Sequence, residues 1–374
     1  MRGWSRPKSP SACPFCDCRW LWRNRRYRRT VQTLEGPRSF WVRQWKCAEC
    51  GRTCADRIPG AEKGARYALE VKRKAVRTLF DSEQDVAHTI REMRRNRGWS
   101  PSASTVRRAL GQAASEIRAP KPPSSGILLS DEKYVRIAGR KRPVLILRDT
   151  HQVVRAAEVI PNRSPEAIEE VMEPVQRWTQ AHTLVTDDMK SYRVVARDLR
   201  LRHQMCQFHL LRAVNRRLHR YLGRKRWGMS REDREREKQK IRDMFRSFCR
   251  ARGRRQQVAW VRAIARLPRR HPPLARFVAH FLRTWPVYHT FRRVRGCPKT
   301  NNGSEGGIAR LEKHLARLRG FRSQERANGF LLLWALHWNY RPMETGPHRG
   351  KCPLELARLD VKGQDWMDCT GLTE

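Results

Sequence analysis

The chain predicts a mixed α/β sheet covered by helices and carrying an all-helical insertion, set behind a cysteine module and a small helical bundle. Three observations predict it. Apolar β-type runs gather after residue 126 and then alternate with helical patterns; two CxxC pairs bracket an arginine-rich stretch near the N-terminus; and residues 64 to 117 repeat their apolar positions at helical spacing.

Composition limits the partners. Across 374 residues, 81 Lys+Arg against 36 Asp+Glu leave a formal charge of +45. Such an excess repels itself unless a polyanion offsets it, so nucleic acid is the expected partner, with binding that weakens as salt rises. An anionic membrane surface would call for a basic amphipathic anchor, whereas here the positive charge is spread through every segment. No apolar run reaches the ~18 residues of a membrane span, and MRGWSRPKSP lacks the apolar centre of a signal peptide, so an intracellular protein is expected. In that setting eleven cysteines suggest metal ligands more than disulfides.

Taken in order, Cys13 and Cys16 form one knuckle, Cys47 and Cys50 a second, and the second continues as CAECGRTC. Four thiolates in two such pairs suit one tetrahedral zinc of structural type, with Cys18 and Cys54 as substitutes if the ligand set is shuffled. The residues between them read as a β-hairpin over a very small core. A zinc ribbon over residues 1–60 is therefore expected.

Residues 61–118 contain three helical segments, ARYALEVKRKAVRTLF, SEQDVAHTIREMRRN and SASTVRRALGQAAS. The last opens with serine and threonine suited to capping and places Val106, Leu110 and Ala113 at helical spacing. With basic exposed faces, the three resemble a helix-turn-helix whose final helix would carry Arg107 and Arg108 to DNA. The Pro- and Ser-rich stretch at 119–126 reads as a linker.

From 127 the runs GILLSDEKYVRI, RPVLILRD and QVVRAAEVI read as strands, SPEAIEEVMEPVQRWTQ as a helix and HTLVTDD as a further strand. Three acids stand out. Asp131 and Asp187 fall in or at the end of β-type runs, and Glu305 opens an amphipathic helix with Ile308, Leu311, Leu315 and Leu318 on one stripe. Carboxylates placed this way can gather paired divalent metals, magnesium or manganese. Asp188 rivals Asp187, and Glu132 and Asp149 are weaker rivals to Asp131. Glu312, two helical turns beyond Glu305, could share its stripe. Asn301, Asn302 and Ser304 read as caps of the helix that Glu305 opens. A helical insertion at about 216–295 carries Trp227, Trp260 and Trp285, which read as core. ANGFLLLWALHWNY reads as a buried helix closing the core of a unit spanning 127–345, before a tail at 346–374.

In their order, CPFC…CAECGRTC, the helical segment, DEKYVRI, TDDMKSY, CQFH and TNNGSEGG…LRGF resemble the DDE transposases of prokaryotic insertion sequences, within the RNase H-like and retroviral-integrase superfamily, over nearly the whole chain. Cys206-x-x-His209 and the insertion are similar to the Mutator-like branch. The resemblance implies an RNase H-like sheet in which Asp131, Asp187 and Glu305 hold two magnesium or manganese ions and cleave and join DNA, with Cys206 and His209 in a structural or supporting role nearby. It also implies terminal inverted repeats and target DNA as partners, at least a dimer on DNA, no membrane, and a cytoplasmic, nucleoid-associated location. The readings set against it are a domesticated regulator that uses only the ribbon and helix-turn-helix, and an RNase H-like nuclease.

Overall fold

Between the two cysteine pairs the chain turns back at Gly36, and the computed structural model, which describes residues 6–223, 228–301 and 305–373 apart from the side chains of 305–307, shows a long hairpin there. Strands β1 (Leu21–Thr33) and β2 (Gly36–Cys47) pair antiparallel, and β3 (Thr53–Ala55) adds to β2. One face of the hairpin is apolar at Val31 and Val42 and packs on Ile58, Val71 and Ala75. Strand alternation leaves the other face to arginine and tryptophan.

Helices α1 (Leu69–Asp81), α2 (Val86–Arg97) and α3 (Ala103–Ser115) follow. Asp85 caps α2 by accepting the His88 N–H, and Ser102 caps α3 by accepting the Thr105 N–H. Ala109 and Ala113 of α3 are buried in the largest apolar cluster, together with Phe330 and Trp334 from far along the chain.

The linker is not a free tether. The Arg155 guanidinium, fully buried, donates to the carbonyls of Pro122 and Pro123 at 2.8 and 2.7 Å and pairs with the equally buried Asp149. Proline rings remove backbone donors but leave carbonyls to be satisfied, and Arg155 satisfies two of them.

Next come β4 (Ile127–Ile137), β5 (Arg140–Asp149), β6 (Val154–Val159), α4 (Pro165–Thr179), β7 (Thr183–Thr186), α5 (Lys190–Asp198) and β8 (Arg202–Met205). The five strands form one sheet in the order β6-β5-β4-β7-β8. β6, β5 and β4 run antiparallel, whereas β4, β7 and β8 run parallel. Three antiparallel strands followed by two parallel ones added on the far side of the first is the RNase H-like arrangement. Leu128, Leu145 and Leu147 face α4 and α5; Val135, Val144 and Ile146 face the opposite layer.

The insertion is helical throughout its described residues: α6 (Gln207–Leu222), α7 (Arg231–Arg250), α8 (Arg254–Ala265), α9 (Leu267–Arg270) and α10 (Ala275–Thr284), ending in a 3-10 segment, Trp285–Arg292. The stretch RHQMCQFHLL divides at Cys206 into the end of β8 and the start of α6. Phe245, Phe248, Phe277, Phe281 and Tyr288 form the insertion's own core, with Trp260 and Trp285 packed against it; Trp227 lies outside the described residues.

Helices α11 (Glu305–Leu318) and α12 (Gln324–Tyr340) cover the second sheet face, and a short α13 (Pro353–Leu356) begins the tail. Ile308, Leu311 and Leu315 are buried as the stripe predicts. Between α11 and α12, Gly320 takes φ 114° against β4, where an added Cβ would sit 2.7 Å from the Arg136 carbonyl oxygen.

Candidate active site and cysteine cluster

Parallel pairing brings the first two acids level. Ile127, Leu128 and Leu129 of β4 pair with Thr183, Leu184 and Val185 of β7, and Asp131 and Asp187 each stand two residues beyond the last of these pairs. Both lie at the carboxyl ends of parallel pairing, where β7 gives way to a loop. Each carboxylate is steadied by backbone: the Glu132 N–H donates to Asp131 Oδ1 at 2.9 Å and the Met189 N–H to Asp187 Oδ1 at 3.0 Å.

The chain leading to Glu305 is tied to the same place. Asn301, buried, donates through Nδ2 to the Ser130 carbonyl at 2.9 Å, one residue before Asp131. Its backbone N–H donates to Cys206 Sγ at 3.3 Å, and Lys299 O accepts the Gln207 N–H that opens α6. Asn301 is therefore a tether across β4 and β8. Asn302 and Ser304 lie outside the described residues; Glu305 is the first residue of α11, and its side chain lies outside them as well.

The rivals have other tasks. Asp188 accepts from His280 Nε2 at 2.5 Å and from Tyr288 OH at 3.4 Å, fastening the insertion to the loop after β7. Asp149 is committed to Arg155. Glu132 points to the α4/α5 face and pairs loosely with Arg163 at 3.4 Å; burial, with Asp187 and Asp131 nearby, pushes its carboxyl up to about 7. Glu312 reaches Lys133 at 3.2 Å, and the same ammonium lies 3.4 Å from Asp131 Oδ2. α11 is thus packed beside the first acid.

Cys206 is buried at the end of β8, and burial pushes its thiol up, so it stays protonated. His209, one turn into α6, holds a buried Nδ1 with no hydrogen-bond partner among the described residues and meets Phe208 edge-on. Arg107 and Arg108 are exposed on the outer side of α3.

Three residues, Lys133, Arg155 and His280, escaped the sequence reading, and a fourth, Asn301, was read only for capping. Lys133 was accessible to it, since residues i and i+2 of a strand share a face. Asn301 looked like a cap, and nothing local marks Arg155 or His280.

In the N-terminal module Cys13, Cys16, Cys47 and Cys50 bring their sulfurs within 4.8 Å of one another. Cys13 and Cys50 lie 3.6 Å apart, as do Cys16 and Cys47, and none of the four is in a disulfide. A Zn–S bond of about 2.3 Å requires tetrahedral edges of about 3.8 Å, so this set has room for one such ion. The N–H groups of Cys50 and Glu49 hold the Cys47 thiol down to about 6, whereas burial and the neighbouring thiols push its partner Cys16 up to about 12. Cys18 and Cys54 stand outside the set; Cys18 Sγ accepts the Trp20 N–H.

The sheet order and its helical layers define an RNase H-like protein. No family model matches the chain. It is similar to an insertion-element protein of Methanobrevibacter smithii, the uncharacterized 48.3 kDa protein of ISM1, at 23% identity over 216 residues, 57% of this chain and 54% of that protein. The chain thus spans about half the length of the curated relative it matches. Among solved structures, the trimeric HTLV-2 integrase catalytic core domain in complex with magnesium aligns over 32% of this chain and 85% of its own, at 13% identity and a TM-score of 0.20. A simian T-cell lymphotropic virus intasome in complex with PP2A regulatory subunit B56 gamma aligns over 44% and 66%, at 11% identity and a TM-score of 0.21. The resemblance to insertion-sequence proteins read from the motifs is therefore met by an insertion-element relative. No helix among the described residues is long and apolar enough to cross a membrane.

Proposed function

We propose that the chain is a DNA transposase that binds the ends of its element, cuts them and joins the freed 3′-hydroxyls to target DNA. The observation that carries this reading is that Asp131 and Asp187 each follow the last β4–β7 pair, Leu129 with Val185, by two residues, while Asn301 ties the approach to Glu305 onto the residue before Asp131. The relative's description as an insertion-element protein and the formal charge of +45 support it.

In this reading Asp131, Asp187 and Glu305 hold two magnesium or manganese ions. The donors fit, since carboxylate oxygens are what such hard cations take and the Asp131 side chain is about a quarter exposed. When bound, the ions supply activation of the attacking hydroxyl and charge stabilisation of the leaving oxygen. The chain's own residues supply the rest: backbone N–H groups fix the two aspartates, Asn301 ties the chain ahead of α11 to the sheet, and Lys133 offsets carboxylate repulsion. Cys13, Cys16, Cys47 and Cys50 hold a structural zinc, and Arg107 and Arg108 face DNA. Synapsis of two ends makes at least a dimer on DNA, in the cytoplasm and at the nucleoid.

A labelled element end incubated with the protein and magnesium tests this. Nicked ends bearing 3′-hydroxyls that join to a target plasmid are expected. Asp187→Ala should abolish joining and leave end binding intact. Joining by that variant would remove the second acid from the site, and no cleavage by the parent protein on its own flanking repeats would sink the reading.

A further inference from the structure

The outer face of the β1–β2 hairpin repeats one chemistry over successive rungs. On the side away from the apolar contacts of Val31 and Val42, Arg23 lies opposite Trp45, Arg26 opposite Arg43, Arg28 opposite Trp41 and Thr30 opposite Ser39. Arg23, Arg26 and Arg28 are exposed, and Trp41 keeps 56% of its surface in water. The Arg26 guanidinium lies 5.0 Å from the Trp41 ring centroid, and that of Arg43 lies 5.7 Å from the Trp45 ring, whose Nε1 is held by Asp56 at 2.8 Å. At the knuckle end of the same hairpin, Trp20 and Trp22 are 76% and 64% exposed. Between Leu21 and Cys47 seven arginines and Lys46 face a single acid, Glu35.

Large exposed aromatics are costly on a soluble surface and usually mark a contact. Acidic protein would satisfy the arginines but leave the indole planes without partners. A base offers a π-face to each ring while its phosphate meets the neighbouring guanidinium, and rungs on one face recur roughly every 7 Å along the strand, so bases and phosphates can alternate along them. Paired bases are already stacked in the duplex, which leaves unpaired ones. We infer that this face of the hairpin binds an unpaired stretch of DNA, with a base stacked on Trp41 and the backbone held by Arg23, Arg26 and Arg28.

This rests on the reading of the chain as a DNA-processing enzyme, and it assigns the ribbon a strand distinct from the duplex offered to Arg107 and Arg108. The test uses the full zinc-loaded chain with three fluorescein-labelled probes: a forked duplex, a single strand and a blunt duplex of the same sequence. Trp41→Ala should weaken the fork and single strand about tenfold, the size of one lost stacked base, and leave the blunt duplex unchanged. Trp41→Phe should restore most of the loss. Arg28→Gln should reduce the salt dependence of fork binding by about one unit of slope. Equal weakening of all three probes, no weakening of any, or tighter binding of an RNA strand of the same sequence, run as a fourth probe, than of the DNA strand would overturn the inference. If Trp41→Ala binds forks like the parent while magnesium-dependent joining persists, the hairpin assignment alone fails. If fork binding behaves as inferred but the parent joins no ends, the transposase reading alone fails.

Discussion

Asp187 and Asp188 are neighbours with opposite mechanical roles. Asp188 is bound by His280 and by the buried Tyr288, whose hydroxyl is pushed up by burial and by that carboxylate, so removing the acid leaves the interior Tyr288 hydroxyl and the partly exposed His280 ring short of a partner. Asp188→Ala should cost about 1–3 kcal/mol in urea unfolding, whereas Asp187→Ala should cost little stability and lose joining. A larger stability loss for Asp187→Ala than for Asp188→Ala would mean that the two acids had been assigned the wrong way round. Lys133 gives a second test at this scale. It stands between Asp131 and Glu312, so Lys133→Met should lower metal-free stability by about 1 kcal/mol, and magnesium should then raise the melting temperature more than it does in the parent. An unchanged response to magnesium would place the lysine outside the acid site. The sequence disclosed the aspartates because each ends or interrupts an apolar strand. It did not separate Asp187 from Asp188, since what separates them is His280, which reaches the loop from 92 residues away.

At the scale of elements, an RNase H-like sheet leaves β6 as an exposed edge, and α12 closes it with polar side chains. Asn339 accepts the Val154 N–H at 2.8 Å and returns its own Nδ2–H to the Val154 carbonyl at 3.1 Å, while Asn328 accepts the Val159 N–H at 2.9 Å. Two side-chain amides thus stand in for a missing strand. Asn339→Leu keeps much of the volume and strips both bonds, so about 1–3 kcal/mol should be lost in urea unfolding, with concentration-dependent association through the bared edge. Stability and monodispersity like the parent's would show that the edge needs no cover. Both asparagines sat in plain view in ANGFLLLWALHWNY, but a helix buried nearly all round gives no stripe from which to tell what its polar residues touch. The same limit applies to α3. Its periodicity announced a helix, its caps and an exposed basic face at Arg107 and Arg108, yet nothing local told that Ala109 and Ala113 pack with Trp334.

Across the whole molecule, burial treats positive charge in two ways: Arg155 is buried in an ion pair with Asp149, whereas three imidazoles are held toward the neutral form. His203, His289 and His314 are held down to about 4, each chiefly by burial, in a chain whose formal charge is already +45. His314 shows why: its Nε2 donates to the Gln84 carbonyl at 2.9 Å, and its ring packs edge-on against Phe80 and Phe330 at 5.8 and 5.0 Å, a setting that suits a neutral imidazole. In the unfolded chain these rings titrate near 6.5, so between about pH 6.5 and about pH 4 the unfolded state binds more protons than the folded one. Stability is therefore complete above the unfolded value and falls as pH drops through that window, by at most about 1.4 kcal/mol per pH unit for each ring. His314→Phe fits the aromatic cluster and cannot be protonated, so it should be less stable than the parent near neutral pH for want of the Gln84 bond, yet lose less on acidification. Urea unfolding at about pH 7 and about pH 5, at a fixed salt concentration high enough to screen the surface arginines, separates this from general charge repulsion. Parallel pH profiles for parent and variant would mean that acid sensitivity comes from the surface charge and not from this buried ring.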